Sequence, residues 1–309
     1  MSAVPGDAGG HRGWSAEESA VISRAVHNAP SVHNSRPWSL ELRDRTAELR
    51  ERPTLLAQHD PGGRDRRISC GAALANLVLA VRGLGWAVEE KLGSDAGLVL
   101  AAVTATGRAE PSEVERRRSE AVLERRSYRE AFDGSELPES TRDALLEAVA
   151  APGVTGRWIS GADETLAVAR LLTYAARVFR GNAEYQRELS SWTTEAGDGL
   201  RRDAFGERGL AAVGLTTGRT HLPDESVLAA RMQREAVLVV GVQTDGPVDQ
   251  VRAGAAVEQA WLEATGRGLV ASVMTQPLHL AEVRSELAAG LGFAEAPQVL
   301  MRVGRPARR

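Results

Sequence analysis

The chain has 309 residues, 43% of them hydrophobic and 26% charged, with a formal net charge of −3 and a pI near 6.1. This composition is typical of a globular protein with a sizeable core. It excludes a dedicated nucleic-acid binder, whose domain would carry a basic excess. Since no apolar run approaches the ~18 residues of a membrane span, we also expect no membrane partner.

The start of the chain and the rare residue types exclude further classes of protein. Residues 1–13 are small and polar without the apolar segment of a secretion signal, so we expect a disordered tail and a cytoplasmic protein. The single cysteine, Cys70, excludes an internal disulfide and a thiolate metal cage. The histidines lack metal-ligand spacing, and neither a dinucleotide-binding glycine motif, a Walker loop nor a hydrolase elbow is present.

A helix and a hairpin are predicted first along the chain. Ser15 and Glu18 have the spacing of a capping box, and the apolar stripe that follows stops before Pro30. Residues 38–42 alternate in polarity and indicate a strand, with 46–56 as its hairpin partner. The segment Ala-Pro-Ser-Val-His-Asn-Ser-Arg-Pro-Trp, residues 29–38, therefore begins where a helix ends.

Three further elements lead to the middle of the chain. Residues 68–88 are apolar on most faces and predict a helix buried at the centre of the fold. Residues 98–104 predict a short strand, and residues 111–124 predict a charged helix. This helix leads directly into a second polar motif.

That second motif, residues 125–132, packs three arginines around a serine. Arg125, Arg126 and Arg129 surround Ser127, a set suited to binding an anion. Only Lys91 among the 38 basic residues is a lysine, so a single arginine means little here and the clustering carries the argument. The alternative interpretation is a helix N-terminus that carries surface arginines.

The second half of the chain repeats the plan of the first. Gly71, Ala72 and Ala73 recur as Gly-Ala-Ala 183 positions later, beginning at Gly254, and Leu79, Gly83 and Gly85 recur at the same offset. An Ala-Pro pair follows a predicted helix in both halves, at 29–30 and 151–152. The alternative is a chance match between two helices rich in small residues. We expect a first half at 14–110 and a second half at 111–309.

Each predicted half retains what the other lacks, because the first has the Pro-Ser turn and the second has the Arg-Arg-Ser segment. If the halves pack about a pseudo-twofold axis, one of two related sites is complete, which predicts one cofactor per chain. The second half has extra residues around 182–232, where aromatic and acidic groups lie among glycines. This insertion is interpreted as a lid over a planar ring; the alternative is an arm for dimer contacts.

These motifs, in this order, resemble the FMN-dependent nitroreductase superfamily and, more narrowly, its fused Acg-type branch. The likeness extends from Ser15 to Gly304 and includes Thr-Gln-Pro-Leu at 275–278 and Pro-Gln-Val-Leu-Met-Arg-Val-Gly at 297–304. The resemblance implies an α+β nitroreductase-like fold of two related halves, with a central pair of antiparallel sheets or one mixed sheet flanked by helices. It also implies that FMN binds between the halves.

The resemblance further assigns roles by position. Arg125 and Ser127 match the family's phosphate-binding pair, and Arg129 matches the cation near the flavin N1 and O2 atoms. Ser31 and Asn34 match the turn that touches the ring and ribityl chain, while Gln276 and Pro277 match the backbone that faces N5. The remaining cofactor-binding candidates are Arg36, Arg126 and Arg308.

Some of these positions depart from the family pattern. Arg36 replaces the usual glutamine and either adds charge at the flavin or points outward. Arg308 is a phosphate ligand or part of a solvated tail. His33 is either a structural turn residue or a proton donor.

Three functions remain open from the sequence. The first is an FMN oxidoreductase that reduces nitroaromatics or quinones with NAD(P)H, or that oxidises a specialised metabolite. The second is a protein that sequesters FMN without turnover, and the third is a relative that has lost the flavin. We expect a monomer or a homodimer.

Overall fold

The computed structural model describes residues 13–52, 56–93, 99–195, 199–202, 205 and 209–307. The helices in these residues are α1 Ala16–His27, α2 Arg64–Gly83, α3 Glu113–Ala121, α4 Glu139–Val149, α5 Gly161–Gly181, α6 Ala183–Ser191, α7 Gly209–Gly214, α8 Glu225–Met232, α9 Pro247–Gly266 and α10 Ala281–Leu291. The strands are β1 Trp38–Arg43, β2 Thr46–Glu51, β3 Trp86–Leu92, β4 Val99–Arg108, β5 Val154–Trp158, β6 Thr193–Thr194, β7 Leu200–Arg201, β8 Ala236–Val242, β9 Val270–Met274 and β10 Ala296–Gly304. Short 3-10 turns cover Val32–Asn34 and Gln276–His279.

The strands form two larger sheets, so the expectation of an α+β fold is confirmed. The first sheet has the order β1-β2-β4-β3 and the second has the order β5-β8-β10-β9, with every neighbouring pair antiparallel. In chain order, both sheets therefore read first, second, fourth, third. Of the two expected arrangements, the described residues form the pair of antiparallel sheets and not one central mixed sheet. Strands β6 and β7 form a separate, small parallel pair.

Helices α2 and α9 pack together at the centre, where two glycines let their backbones approach. A Cβ atom on Gly71 would lie 2.0 Å from the Val251 carbonyl oxygen, and one on Gly254 would lie 1.9 Å from that of Ile68. Since atoms cannot approach so closely, both positions require glycine. The contact is reciprocal, because Ile68 and Val251 are separated by the same 183 positions as the glycines.

Several predicted elements are confirmed. The Ser15 hydroxyl accepts from the Glu18 N–H at 3.1 Å and the Glu18 carboxylate accepts from the Ser15 N–H at 2.8 Å, which completes the capping box of α1. Strands β1 and β2 form the expected hairpin, although residues 53–55 of its second strand lie outside the described residues. Helices α1 and α4 both end two residues before the Ala-Pro pairs.

The predicted helix over 68–88 is wrong at both ends. Helix α2 begins at Arg64, because the Asp60 carboxylate accepts from the backbone N–H groups of Asp65 and Arg66 at 3.0 and 2.8 Å. It ends at Gly83, because Gly85 adopts a φ of +80° that no α-helix can continue. The next residues form β3, a strand that the sequence analysis missed.

Smaller differences affect the neighbouring elements. Helix α3 ends at Ala121, three residues before its predicted end, where the backbone tightens into two turns. Strand β4 continues to Arg108, four residues beyond its predicted end, because its residues from Ala101 to Arg108 pair with β3. Leu98, the predicted first residue of that strand, lies outside the described residues.

The predicted insertion at 182–232 includes α6, β6, β7, α7 and α8, and we call these residues the lid. Asp198, one of the residues that suggested a lid, lies outside the described residues, as do residues 1–12 of the expected tail. Within the described chain, no helix has both the length and the apolar character of a membrane span.

Candidate functional site

A cavity of about 140 Å³ lies between α2, α9, β9 and the turn that follows α1. The lid contributes part of its wall through Tyr185, Leu200 and Leu215. The two polar motifs, which are about a hundred residues apart in sequence, therefore meet at one place only after the chain has folded.

The turn after α1 holds an unusual backbone. His33, Asn34 and Arg36 have φ angles of 48°, 54° and 45°, a region that residues other than glycine rarely adopt. Two serine hydroxyls support this conformation: that of Ser31 accepts from the Arg36 N–H, and that of Ser69 accepts from the Val32 N–H, both at 3.0 Å. Strained turns of this kind are typical of ligand sites, where the surrounding structure imposes them.

The arginine-rich motif is an extended segment beside the second sheet. Ser127 forms a parallel bridge with Ala271 of β9, and the Tyr128 N–H donates to the Ala271 carbonyl at 2.9 Å. This geometry excludes the alternative of a helix N-terminus with surface arginines. It also places Ser127 and Arg129 in the wall of the cavity.

Arg125 lies behind the cavity wall, buried against Glu258. Its Nη2 atom donates to the Asn28 carbonyl at 2.9 Å, and its Nε atom lies 3.2 Å from a carboxylate oxygen of Glu258. The guanidinium also stacks over the Trp261 ring, 4.7 Å from the centroid. Burial lowers the pKa of Arg125 and raises the pKa of Glu258 to about 8. Glu258 and Trp261 line the cavity that Arg125 itself does not reach.

Gln276 connects the floor of the cavity to the lid. Its side-chain oxygen accepts from the Thr216 N–H at 2.8 Å, and its side-chain nitrogen donates to the Tyr185 hydroxyl. Tyr185 also stacks on the His59 ring with centroids 3.7 Å apart. Burial raises the pKa of Tyr185 far above its usual value, so the phenol stays neutral.

A chain of titratable groups lines the same cavity. His33 hydrogen-bonds to His59, and burial lowers the pKa of both, that of His33 to about 3, so both are neutral at pH 7. The Asp65 carboxylate lies 3.0 Å from the His279 Nε2 atom. Burial acts to raise the pKa of Asp65, but His279 and Arg64 together hold it below its usual range.

The predicted site residues divide into three groups. Those that line the cavity are Ser31, Ser127, Arg129 and Gln276. Those that do not line it are Asn34, Arg36, Arg125, Arg126 and Pro277. Arg126 is exposed and donates to the carbonyls of Leu123 and Arg125. Arg308 lies outside the described residues, so its expected contact with phosphate stays a prediction.

Sequence reasoning missed several residues of the cavity wall. Glu258 offered a signal, because it and Gln259 interrupt the otherwise apolar run Ala-Ala-Val-Glu-Gln-Ala-Trp-Leu of α9. Asp65, His59 and His279 offered none, since isolated polar residues in loops and helix starts are common. No group of metal-ligating side chains occurs among the described residues.

Comparison with known proteins places the chain in a family. Residues 122–305 match the sequence model of the Nitroreductase family. The chain is 29% identical over 291 residues to "Putative NAD(P)H nitroreductase Rv3131" of Mycobacterium tuberculosis, covering 92% of this chain and 83% of that protein. It is also 29% identical over 306 residues to "Putative NAD(P)H nitroreductase acg" of the same organism, covering 92% and 88%.

Two solved structures are only distantly similar to this chain. A nitroreductase with bound FMN from Bacteroides fragilis has a TM-score of 0.40 and 17% identity, covering 64% of this chain and 90% of that one. The FMN-dependent nitroreductase NfnB from Mycobacterium smegmatis, in complex with NADPH, has a TM-score of 0.38 and 19% identity, covering 63% and 89%. The family match, which spans more than half of the chain, shows that this protein belongs to the nitroreductase family of oxidoreductases.

Proposed function

We propose that the protein binds FMN in this cavity and transfers hydride at the flavin N5 atom to or from a small organic substrate. The observation that carries the proposal is that one cavity brings together Ser31, Ser127, Arg129 and Gln276, from all three segments that resemble flavin-binding motifs. The substrate would be a nitroaromatic, a quinone or a specialised metabolite. The names of the mycobacterial relatives support NAD(P)H as the reductant.

The donors and walls of the cavity fit FMN. Ser127 and Arg129 supply a hydroxyl and a guanidinium, which suit phosphate and the polar edge of a flavin ring. Buried nitrogen and oxygen atoms of Trp261 and Ser272 lack hydrogen-bond partners within the described chain. Apolar walls, which suit a planar ring system, come from Ile68, Ala72, Val257 and Val299.

FMN, when bound, supplies hydride transfer through its N5 atom. The protein's own residues bind and orient the cofactor and exclude water. Arg129 places positive charge in the cavity wall, where it would stabilise negative charge on a reduced flavin. The strained turn at 31–36 and the Gln276 segment hold parts of the cavity wall in fixed positions, which would lower the reorganisation needed during transfer.

We further propose that the chain is an internal pseudo-dimer whose two halves are residues 14–110 and 111–309. The matching strand orders and the reciprocal Gly71 and Gly254 contacts support this interpretation. A hydrogen bond between α2 and α9 adds further support. It joins Arg67 and Gln250, which are also 183 positions apart, at 2.6 Å. Because each proposed half retains a motif that the other lacks, we expect one complete site and one cofactor per chain.

A second candidate function is FMN sequestration without turnover, and the lid contacts favour it. Glu188 of α6 accepts from the Gln58 and His59 N–H groups at 3.0 and 2.8 Å, and His59 hydrogen-bonds to the Tyr185 carbonyl at 3.1 Å. The free space of about 140 Å³ is below the ~300–1,000 Å³ usual for ligand pockets. The lid would therefore have to move outward to admit a flavin, and a closed lid would hinder a nicotinamide.

The proposal is tested by the absorption spectrum of the purified protein after FMN is added and the excess removed. Retained flavin bands near ~450 nm that bleach with NADPH under argon would support the oxidoreductase. Bands that persist with NADPH but bleach with dithionite would support sequestration. A colourless protein would contradict both functions and favour a relative that has lost the flavin.

A further inference from the structure

Several buried polar groups in the cavity wall have no hydrogen-bond partner within the described chain. They are the Trp261 Nε1 atom, the Ser272 hydroxyl and both carboxyl oxygens of Glu258, and the Arg125 Nε atom lies behind the wall, 3.2 Å from one of these oxygens. These side chains are at most 7% exposed. Buried polar groups are normally satisfied, and leaving them unsatisfied is costly, so a cluster of them indicates a ligand. We call these four residues the donor cluster.

Three members of the donor cluster line the same cavity, and the fourth, Arg125, lies against one of them. Glu258 and Trp261 lie about one turn apart on α9, and both contact the Arg125 side chain. Ser272 follows Ala271, the residue of β9 that bridges to Ser127. The donor cluster therefore adjoins the segment whose resemblance predicts a phosphate site.

The chemistry of the donor cluster selects an acceptor-rich ligand. An indole N–H and a guanidinium can only donate hydrogen bonds, and a serine hydroxyl can donate. Burial raises the pKa of Glu258 to about 8, so this carboxyl is mostly protonated at neutral pH and can donate as well. A phosphate, with several strong acceptor oxygens, complements the three groups in the cavity wall, and the positive charge of Arg125 lies behind them against Glu258.

The charge of Glu258 decides how well an anion can bind. Arg125 faces its carboxyl from the extended segment, with Arg126 beyond it, and Asn76 faces it from α2. An ionised Glu258 would neutralise Arg125 and would repel a phosphate dianion in the same buried space. A protonated Glu258 leaves the positive charge of Arg125 available to the phosphate.

We propose that Glu258, Trp261 and Ser272 bind the phosphate of FMN, with the positive charge of Arg125 behind them, and that Glu258 does so in its protonated form, so that FMN binding is coupled to a proton on Glu258. This inference rests on the proposed function. It makes the affinity for FMN depend on pH in a defined direction. Affinity is full while Glu258 is protonated and declines as the pH rises through its titration.

The first experiment measures the dissociation constant of FMN by flavin fluorescence between pH 7 and 9. The phosphate of FMN is largely a dianion throughout this range, since such groups have a second pKa near ~6. Above the Glu258 titration, we expect the wild-type dissociation constant to rise by up to about tenfold per pH unit. The Glu258→Gln variant, which keeps a donor and cannot ionise, should show a flat profile and bind more tightly than wild type at pH 9.

Two controls isolate the Glu258 carboxyl. Glu263→Gln, on the same helix, alters a carboxylate that pairs with Arg117 and Arg118 outside the cavity, and it should keep the wild-type pH profile. Riboflavin, which has no phosphate, should bind wild type without the pH dependence. The inference is overturned by a flat wild-type profile or by a Glu258→Gln variant that retains the wild-type slope.

A second variant tests the donor cluster without altering charge. Trp261→Phe removes the indole N–H and keeps an aromatic ring, so it should weaken FMN binding by about tenfold or more and leave riboflavin binding unchanged. Trp158→Phe removes another unpartnered indole N–H that lies outside the cavity, and it should change neither. Unchanged FMN affinity in Trp261→Phe would overturn the placement of the phosphate.

The outcomes separate this inference from the proposed function. Wild-type protein that binds no FMN at any pH overturns the proposed function and this inference with it. Wild-type protein that binds FMN with a flat pH profile overturns the inference alone.

Discussion

Helices α2 and α9 pack against each other through equivalent glycines, yet they present different chemistry to their surroundings. At positions 183 apart, Ala75 and Val78 of α2 correspond to Glu258 and Trp261 of α9. The close backbone contact limits both helices to small residues at its centre. One turn further along, this limit no longer applies, and only α9 carries polar groups at the cavity. The framework is thus nearly symmetric while the site is not.

The turns that follow α1 and α4 also differ, but here it is the first half that carries the residues of the site. The turn after α1 contains three non-glycine residues with positive φ, held by serine hydroxyls, and it lines the cavity. The chain after α4 returns to β5 through a short turn in which Gly153 has a φ of 75°. Under the proposed arrangement of halves, one site takes its turn from the first half and its helix and extended segment from the second.

The largest expected effect is on stability, at the glycine contact that α2 and α9 share. Gly71→Ala and Gly254→Ala should each destabilise the protein by about 3 kcal/mol, because the added Cβ would overlap a backbone carbonyl that cannot easily move. The measurement is the free energy of unfolding from denaturant titration. Gly290→Ala on α10, where a Cβ meets nothing within 4 Å, is the matched control and should be neutral or slightly stabilising. A well-tolerated alanine at one glycine alone would show that the contact is not reciprocal.

The next effect is on FMN binding, which depends on residues that the two halves do not share, and Arg125 is the first of these to test. Arg125→Ala should weaken FMN binding by about 1.5–3 kcal/mol, because it removes the positive charge behind the predicted phosphate site and leaves Glu258 without its charged neighbour. Equilibrium titration with FMN measures the loss. Arg142→Ala provides a control, since Arg142 also stacks on a tryptophan, Trp158, but away from the cavity. Wild-type affinity in Arg125→Ala would contradict the phosphate assignment.

The opposite half should contribute less. A combined Ser31→Ala and Asn34→Ala change is expected to weaken FMN binding by about 1–2 kcal/mol, because the Ser31 hydroxyl helps to hold the strained turn. The stoichiometry should stay near one FMN per chain or fall. Ser35→Ala removes a hydroxyl of the same turn that makes no hydrogen bond in the described chain, and it should have no such effect. If the double variant bound FMN as wild type does, the cavity would need only one half.

The smallest expected effect concerns the lid. Tyr185→Phe removes the hydrogen bond to Gln276, worth about 1 kcal/mol, and should speed FMN release several-fold by making the lid easier to open. Stopped-flow measurement of FMN dissociation reports this rate. Tyr174→Phe removes an exposed hydrogen bond to Glu282 and should leave the rate unchanged. An unchanged rate in Tyr185→Phe would indicate that this contact does not limit release.

Local patterns in the sequence predicted much of the fold. The capping box of α1, the β1–β2 hairpin and the helix ends before both Ala-Pro pairs depend on residues a few positions apart, where propensity and hydrogen-bonding chemistry act directly. Strand β3 was missed because Trp86 to Val88 extend an apolar run that also suits a helix. What ends that helix is the backbone of Gly85, and what makes the strand is pairing with β4.

The sequence by itself determined the two motifs, the 183-residue repeat and the resemblance that names a flavin. Only the tertiary structure decided which residues reach the cavity. It placed Arg125 behind the wall against Glu258, and it brought Tyr185 of the lid onto Gln276. The reason is physical: spacing along a chain specifies local geometry, whereas burial and pairing depend on contacts between segments that are distant in sequence.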